Sequence, residues 1–459
     1  MLPNDQNDRL RILVVVLFAV LLRGVVCYLN FDSFTSDPDA YRLIAETLSQ
    51  EGVYGLPAEI GEATPTAFRP PLYPYLLSWL TGGQSANIFI AAWHTLMGGL
   101  TVLLTILISR QLIDSDRVGH ASLFAGVLVA IDPILVQQST QVMTETIATL
   151  LATAVIWWWL RCYRNDFSWP AMLVLSGLLA MSYLCRPTFL VWAVMLVAAA
   201  CLAGKSVDLK QRMLRGALVA SLVVISVGGW MMRNKRAIGH PVWATSHGGY
   251  TLLLANNPSF YEYLENGKWG VAWDATDFLN AYTHRYEGDP NEVEFWQQPW
   301  DQPPKAVNDV SEHDDDRYCY RAARATIDRN PQMFVWSCFV RVGRIWNPLP
   351  HFVPGRSWPK IIVVGLFYLV IYVALLVSLW RIGRGVLGSK WWPIWALAIT
   401  LCGVHSLYWT NARMRAPIIP AIAILAAGVI TVQSKENSCL LYTSPSPRDQ
   451  RGSRMPSSA

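Results

Sequence analysis

The chain has 459 residues, of which 53% are hydrophobic and 15% charged, with a net charge of +5 and a mean hydropathy of +0.28. Soluble domains carry about 25% charged residues, so the composition excludes one and defines a polytopic membrane protein. The basic residues follow the ends of apolar runs rather than forming a patch, which speaks against a nucleic-acid partner.

The first apolar run, Leu10 to Leu29, has about the length of a full span. No small-residue cleavage site follows it, so it reads as a retained anchor. The next segment, 30–86, is an outer loop with Asp32, Asp37, Asp39, Glu46, Glu51, Glu59 and Glu62. Within it, Tyr41, Ile44, Ala45 and Leu48 fall at helical spacing. Leu72 to Leu80 is apolar but too short to span, and it follows Arg69-Pro70-Pro71, a good helix start. Both stretches predict helices lying along the membrane surface. Asp37 and Asp39 are either helix caps or groups poised for chemistry beside the hydrocarbon.

Further spans are predicted at 87–108, 118–136, 142–160, 169–185, 188–204 and 217–232, closing a core over 1–232. His94 reads as a packing residue, and Trp157-Trp158-Trp159 as an interfacial belt. The segment 233–359 is rich in Trp, Tyr and Asn and predicts a mixed extracytoplasmic domain. Its His313–Asp316 run is either a solvated face or a divalent-cation site, the one candidate for a cofactor. Cys319 and Cys338, in or near this segment, leave a disulfide open. Spans at 360–380, 391–409 and 416–432 make up a C-terminal part, 360–433. The Ser/Pro/Arg-rich remainder, 434–459, has no periodicity and reads as a disordered or artefactual tail.

Short loops test the topology. Arg110, Arg117, Arg161, Arg164, Lys205, Lys210, Arg212, Arg215, Arg381, Arg384 and Lys390 all fall on the side of Arg9 and Arg11. Basic short loops mark the cytoplasm, so the N-terminus is predicted inside and the acidic loop outside. Arg413 and Arg415 run against that bias.

Several motifs in this order carry a resemblance: SDPDAYRLIAETL, FRPPLYP, MTE at Met143–Glu145, CRPT around Arg186, GWMMRNKRAIGHPVWATSHGGYTLLLANNP, RAARATIDRNPQMFVWSCFVRVGRIWNP and NARMRAPIIPAIAILAA. Together they resemble the bacterial branch of the protein O-mannosyltransferase and lipid A aminoarabinose transferase superfamily, which are GT-C membrane glycosyltransferases. The resemblance covers nearly the whole chain up to the tail. It implies an all-α polytopic fold of about ten spans. It also implies transfer of a sugar from a polyprenyl-phosphate donor to a lipid, glycan or protein acceptor outside a bacterial inner membrane.

The resemblance further implies a catalytic Asp four residues before a Tyr, a spacing that Asp37 has to Tyr41. Pro38 and the added Asp39 depart from the pattern, so both carboxylates remain candidates for the base. In an inverting transfer such a group takes the acceptor's proton as its oxygen attacks the anomeric carbon. Arg69, Arg186, Arg233, Arg413 and Arg415 are candidates for the donor phosphate, because a guanidinium can bind two of its oxygens. Interfacial anchoring is the alternative for each. Glu145 is either an active-site acid or helix-terminus charge compensation. His247, Asn256 and Asn257 either hydrogen-bond sugar hydroxyls or hold turns. The rival function class is a transporter or flippase for lipid-linked sugars. It would show matching halves, whereas seven predicted spans precede the outer segment and three follow it.

Overall fold

The computed structural model describes residues 5–58, 61–83, 85–113, 117–202, 208–268, 270–300, 302–305, 310–353 and 357–431. Glu59, Lys205 and the 434–459 tail lie outside them. Helix α1 (Gln6–Leu29) opens the chain, with Asp5 as its N-cap. Its face with Leu13, Leu17 and Leu21 is exposed, as a lipid-facing stripe must be. The predicted outer loop then forms α2 (Tyr41–Glu51), a short hairpin of β1 (Gly55–Leu56) and β2 (Thr64–Pro65), and α3 (Leu72–Ser78). Tyr41, Ile44 and Ala45 are buried, which fits the helical spacing read from the sequence.

Helices α4 (Ala86–Leu112) and α5 (Val118–Ile131) pack on α1. The predicted 118–136 span is broken at Asp132-Pro133. Pro removes a backbone donor, and Asp132 instead caps α6 (Pro133–Gln138) through Leu135 N–H at 3.0 Å. The bundle continues through α7 (Glu145–Arg164), α8 (Trp169–Cys185), α9 (Phe189–Leu202) and α10 (Leu209–Ile238). The tryptophan run divides: Trp159 is fully buried and donates to the Ser389 carbonyl at 3.1 Å. It is a packing residue rather than part of a belt.

The predicted outer domain is helical among the described residues, with one isolated bridge between Val271 and Phe352. It comprises α11 (Gly248–Ala255), α12 (Pro258–Asn266), α13 (Thr276–Thr283), α14 (Val293–Gln297), α15 (Glu312–Arg329) and α16 (Pro331–Trp346). Its small core joins Leu253, Phe278, Phe295 and Trp296 to Cys319 and Ala322. Cys319 and Cys338 are both free, so the disulfide left open by the sequence does not form. The chain returns through α17 (Trp358–Ile382), α18 (Trp392–Leu407), a 3-10 stretch Ala412–Ile418 and α19 (Ile419–Ala427).

Among the described residues, six helical stretches are long and apolar enough to cross a membrane, and α5, α8 and α9 are shorter apolar helices. The protein is therefore an α-helical, multi-pass membrane protein. Its two ends differ in composition. Arg110 pairs with Asp8 at 2.6 Å and Lys390 reaches the Leu112 carbonyl at 3.3 Å at one end. The acidic outer loop and the outer domain share the other, where Glu312 of α15 accepts from Ala67 N–H at 2.6 Å.

Candidate functional site

Five of the sequence motifs meet at that second end. Asp37 through Ala40 form a tight turn closed by the Asp37 carbonyl and Ala40 N–H at 3.2 Å. Ala40 takes the left-handed conformation (φ 57°), which a non-glycine residue adopts at a cost. The turn separates two carboxylates. Asp37 Oδ2 accepts Leu43 N–H at 2.8 Å, and Oδ1 is buried without a partner. Burial pushes the Asp37 carboxyl up, partly offset by the amides of α2 and reinforced by Asp39. Asp39 faces the other way. Its Oδ1 takes Arg69 Nη2 at 2.9 Å, its carbonyl takes Arg69 Nε at 2.6 Å, and its Oδ2 lies 3.9 Å from Arg413 Nη2.

Beneath this pair lies a second ion cluster. Glu145, 2% exposed at the first turn of α7, accepts Arg186 Nη2 at 2.8 Å and sits 3.5 Å from Arg413 Nε. Arg186 Nε also donates to Thr144 Oγ1 at 2.7 Å. Arg413 thus bridges two carboxylates, and Asn411 caps its backbone N–H at 3.1 Å. Tyr41 lies below the Arg69 guanidinium at 5.4 Å.

The remaining candidates divide. His247 stacks edge-on against Phe68, the neighbour of Arg69, at 4.6 Å. Burial and then the Arg69 charge lower its pKa to about 3, so it is neutral. Arg233 is committed to the carbonyls of Thr66 and Tyr54 at 2.5 and 2.6 Å and fastens the outer loop to α10. Asn256 is buried and bonds the carbonyls of Leu252 and Leu407 at 2.9 and 3.1 Å. Asn257 caps α12 through Phe260 N–H at 2.8 Å. These contacts tie both asparagines to the surrounding backbone.

The His313–Asp316 run is spread around α15. Asp315 pairs with Arg285 at 2.7 Å, Asp316 accepts Gly249 N–H at 2.6 Å, and His313 stacks on His240. Among the described residues no three His, Cys, Asp or Glu side chains cluster as metal ligands. Asp39 and Glu145 already face arginines, so the donor set does not fit a resident divalent cation.

Arg413 also lines a cleft of about 910 Å³ between α6, α16, α17 and the loop after α18. Four cationic side chains line it: Arg344, Lys360, Arg413 and Arg415. Among its described lining residues there is no carboxylate. Arg415 is 1% exposed, with Nη1 on the carbonyls of Ile345 and Asn347 at 2.9 and 2.8 Å and its guanidinium 4.0 Å from the Tyr368 ring. Its Nε has no partner. Arg344 is held 5.1 Å over Phe260 and 5.6 Å over Trp409.

Sequence reasoning missed Arg344, Lys360, Gln138, Thr410 and Trp409. One signal was available. Gln137, Gln138 and Gln141 cluster in the short link between the predicted spans 118–136 and 142–160, and polar residues beside the hydrocarbon ask for a role.

No protein-family model and no curated protein matches the chain. Among solved structures, it is similar to the oligosaccharyltransferase AglB of Archaeoglobus fulgidus in complex with an inhibitory peptide and a dolichol-phosphate. The TM-score is 0.48 at 15% identity, covering 93% of this chain and 50% of that one. It is also similar to ArnT of Cupriavidus metallidurans bound to undecaprenyl phosphate. There the TM-score is 0.41 at 15% identity, covering 91% of this chain and 77% of that one. The chain thus spans about half the length of the oligosaccharyltransferase.

Proposed function

We propose that the protein is a membrane glycosyltransferase that moves a sugar from a polyprenyl-phosphate donor to an acceptor on the outer side of a bacterial inner membrane. The observation that carries this reading is the meeting of the Asp39–Arg69 and Glu145–Arg186 pairs on Arg413, at the edge of a cation-lined cleft. A buried guanidinium with a free nitrogen suits a phosphate better than a neutral headgroup. The basic short loops at the opposite end support a cytoplasmic position for it.

The chemistry is a single displacement. The acceptor oxygen forms a bond to the anomeric carbon as the bond from that carbon to the phosphate oxygen breaks. The phosphate leaves with the bonding pair, and Arg413 and Arg415 take up its charge. Asp39 removes the acceptor proton. It is favoured over Asp37 because Arg69 orients it beside Arg413, whereas Asp37 spends one oxygen on Leu43 and keeps the other buried. Asp37 then acts as a positioning residue that sets the turn. Glu145 and Arg186 hold Arg413, and Tyr41 supports Arg69.

The test is transfer from a purified polyprenyl-phosphate sugar in liposomes, with Asp39→Asn, Asp37→Asn and Arg413→Gln at matched amounts. An amide cannot accept the proton, so Asp39→Asn loses about 100- to 10,000-fold in rate. Asp37→Asn keeps more activity, and Arg413→Gln weakens donor use. Near-wild-type transfer by Asp39→Asn, with activity lost in Asp37→Asn, reverses the assignment. Movement of the lipid-linked sugar across the bilayer without transfer favours the transporter class.

A further inference from the structure

The proposed chemistry leaves the acidic run at the start of α15 without a role, and its residues separate in the fold. Ser311 caps the helix through Asp314 N–H at 3.1 Å, Asp315 pairs with Arg285, and Asp316 accepts Gly249 N–H. These contacts stay within the α11–α16 domain. Glu312 instead crosses to the loop between β2 and α3. Its Oε1 accepts Ala67 N–H at 2.6 Å, and its Oε2 accepts the Thr66 hydroxyl. Thr66 is 2% exposed and Ala67 fully buried. Without Glu312 an amide and a hydroxyl would be left unpaired there, which buried polar groups rarely are.

The Thr66 oxygen also accepts Phe68 N–H at 2.9 Å, closing a turn whose next residue is Arg69. Arg233 Nη1 holds the Thr66 carbonyl at 2.5 Å, and Ser246 N–H holds the Ala67 carbonyl at 3.0 Å. Arg69 leaves this turn toward Asp39, bonding its carboxylate at 2.9 Å and its carbonyl at 2.6 Å. Two bonds from one planar guanidinium fix the orientation of Asp39 as well as its distance. Glu312 is therefore joined to the proposed base by one short turn and one forked side chain.

We propose that Glu312 is a positioning residue for proton removal. Through it the α11–α16 domain sets the turn that aims Arg69, and Arg69 sets the Asp39 carboxylate. The inference rests on the transferase reading and adds to its site a residue from outside the ion cluster. The role is one of geometry. Glutamine at this position keeps the reach, because its oxygen accepts Ala67 N–H and its amide donates to the Thr66 oxygen. Alanine abandons both groups. A misplacement of ~1 Å can cost on the order of 100-fold in rate, so the loss falls on kcat. Donor binding, assigned to Arg413 and Arg415, is left intact.

The experiment has two arms, both on the full chain. In lipid nanodiscs, amide hydrogen exchange is followed by mass spectrometry. Glu312→Ala speeds exchange at residues 64–69 and also at 37–43, which include the Asp39 turn and Leu43 N–H. Arg69→Met cuts the second link, so adding Glu312→Ala to it speeds exchange at 64–69 and adds nothing at 37–43. Unchanged exchange at 37–43 in the single variant overturns the inference. An equal rise there in both backgrounds overturns it too, since that marks general loosening. Thr66→Val breaks the same contact from the loop side and is read in the same way if Glu312→Ala does not fold. In liposomes, Glu312→Ala lowers kcat for transfer about 10-fold at an unchanged donor KM, and Glu312→Gln restores most of it. A Gln variant no better than the Ala variant assigns the effect to charge and overturns the inference. Unchanged kcat in Glu312→Ala, beside an active wild type, overturns it and leaves the transferase reading standing. An inactive wild type removes both.

Discussion

Asp37, Asp39 and Asp316 show how neighbouring contacts divide one residue type among several roles. Asp39 is held by a guanidinium, Asp37 is caught in a turn, and Asp316 ties two outer helices together through Gly249 N–H. Burial raises the Asp316 carboxyl to about 6, against the Gly249 bond and helped by Asp315 and Glu312. A carboxyl raised in the folded state adds stability below its unfolded value. That stability is lost as pH rises through the folded value. The window therefore runs from about 4 to about 6. Asp316→Asn keeps an acceptor for Gly249 but has no charge to bury. The stability difference between wild type and variant should move in the variant's favour across that window, on the order of 1 kcal/mol after allowance for solvent screening. Thermal midpoints of both proteins from pH 4 to 7 check this, and parallel curves would refute it. The run His313–Asp316 was visible in the sequence, but its role was not. A run of acids gives no sign of which face of a helix each will occupy.

At the scale of elements, the contact of α11 with α15 depends on a glycine. A Cβ at Gly249 would lie 2.0 Å from the Asp316 carbonyl oxygen, a backbone atom that cannot move alone. At Gly248 the clash is with the Tyr320 hydroxyl at 2.3 Å, the far end of a side chain that can swing aside. Gly249→Ala should therefore cost about 1–3 kcal/mol, as overpacking does, and Gly248→Ala less. Denaturation of the two variants in detergent orders them, and equal losses would show that α15 adjusts freely. The same scale explains what the sequence could specify. Helices α2 and α3 were legible because their apolar residues repeat on one face and a Pro pair marks a start. The break between α5 and α6 was written as Asp132-Pro133, yet mean apolarity carried the predicted span across it. His94 was rightly taken for a packing residue. Its Nδ1–H donates to the Ser139 carbonyl at 3.0 Å, and its Nε2 accepts the Tyr73 hydroxyl at 2.9 Å.

For the whole molecule, the site is assembled from segments hundreds of residues apart, and its parts differ in how far they could be foreseen. Asp39, Arg69, Glu145, Arg186 and Arg413 stood out as charges beside apolar runs, and attraction between opposite charges in a poorly solvated place brings them together. Trp409 and Thr410 gave no such sign, because an aromatic or a threonine at the end of a span is ordinary. The two parts of the membrane bundle on either side of the outer domain are joined by a further buried contact. Tyr368 of α17 places its hydroxyl 3.0 Å from both oxygens of Asp132 at the start of α6, while its ring lies under Arg415. Tyr368→Phe keeps the ring beneath the guanidinium and removes only the hydroxyl. It should lower stability by about 1.5–3 kcal/mol, the range for a hydrogen bond to a charged group. Asp132→Ala removes the same partner from the other side and also the cap of α6. If the contact joins α17 to the first spans, the double variant should lose less than the sum of the two. The coupling should be about 1 kcal/mol or more, measured by unfolding in mixed micelles. Strict additivity would mean that Asp132 serves the α6 cap alone and that Arg415 is positioned by the carbonyls of Ile345 and Asn347 without help from α17.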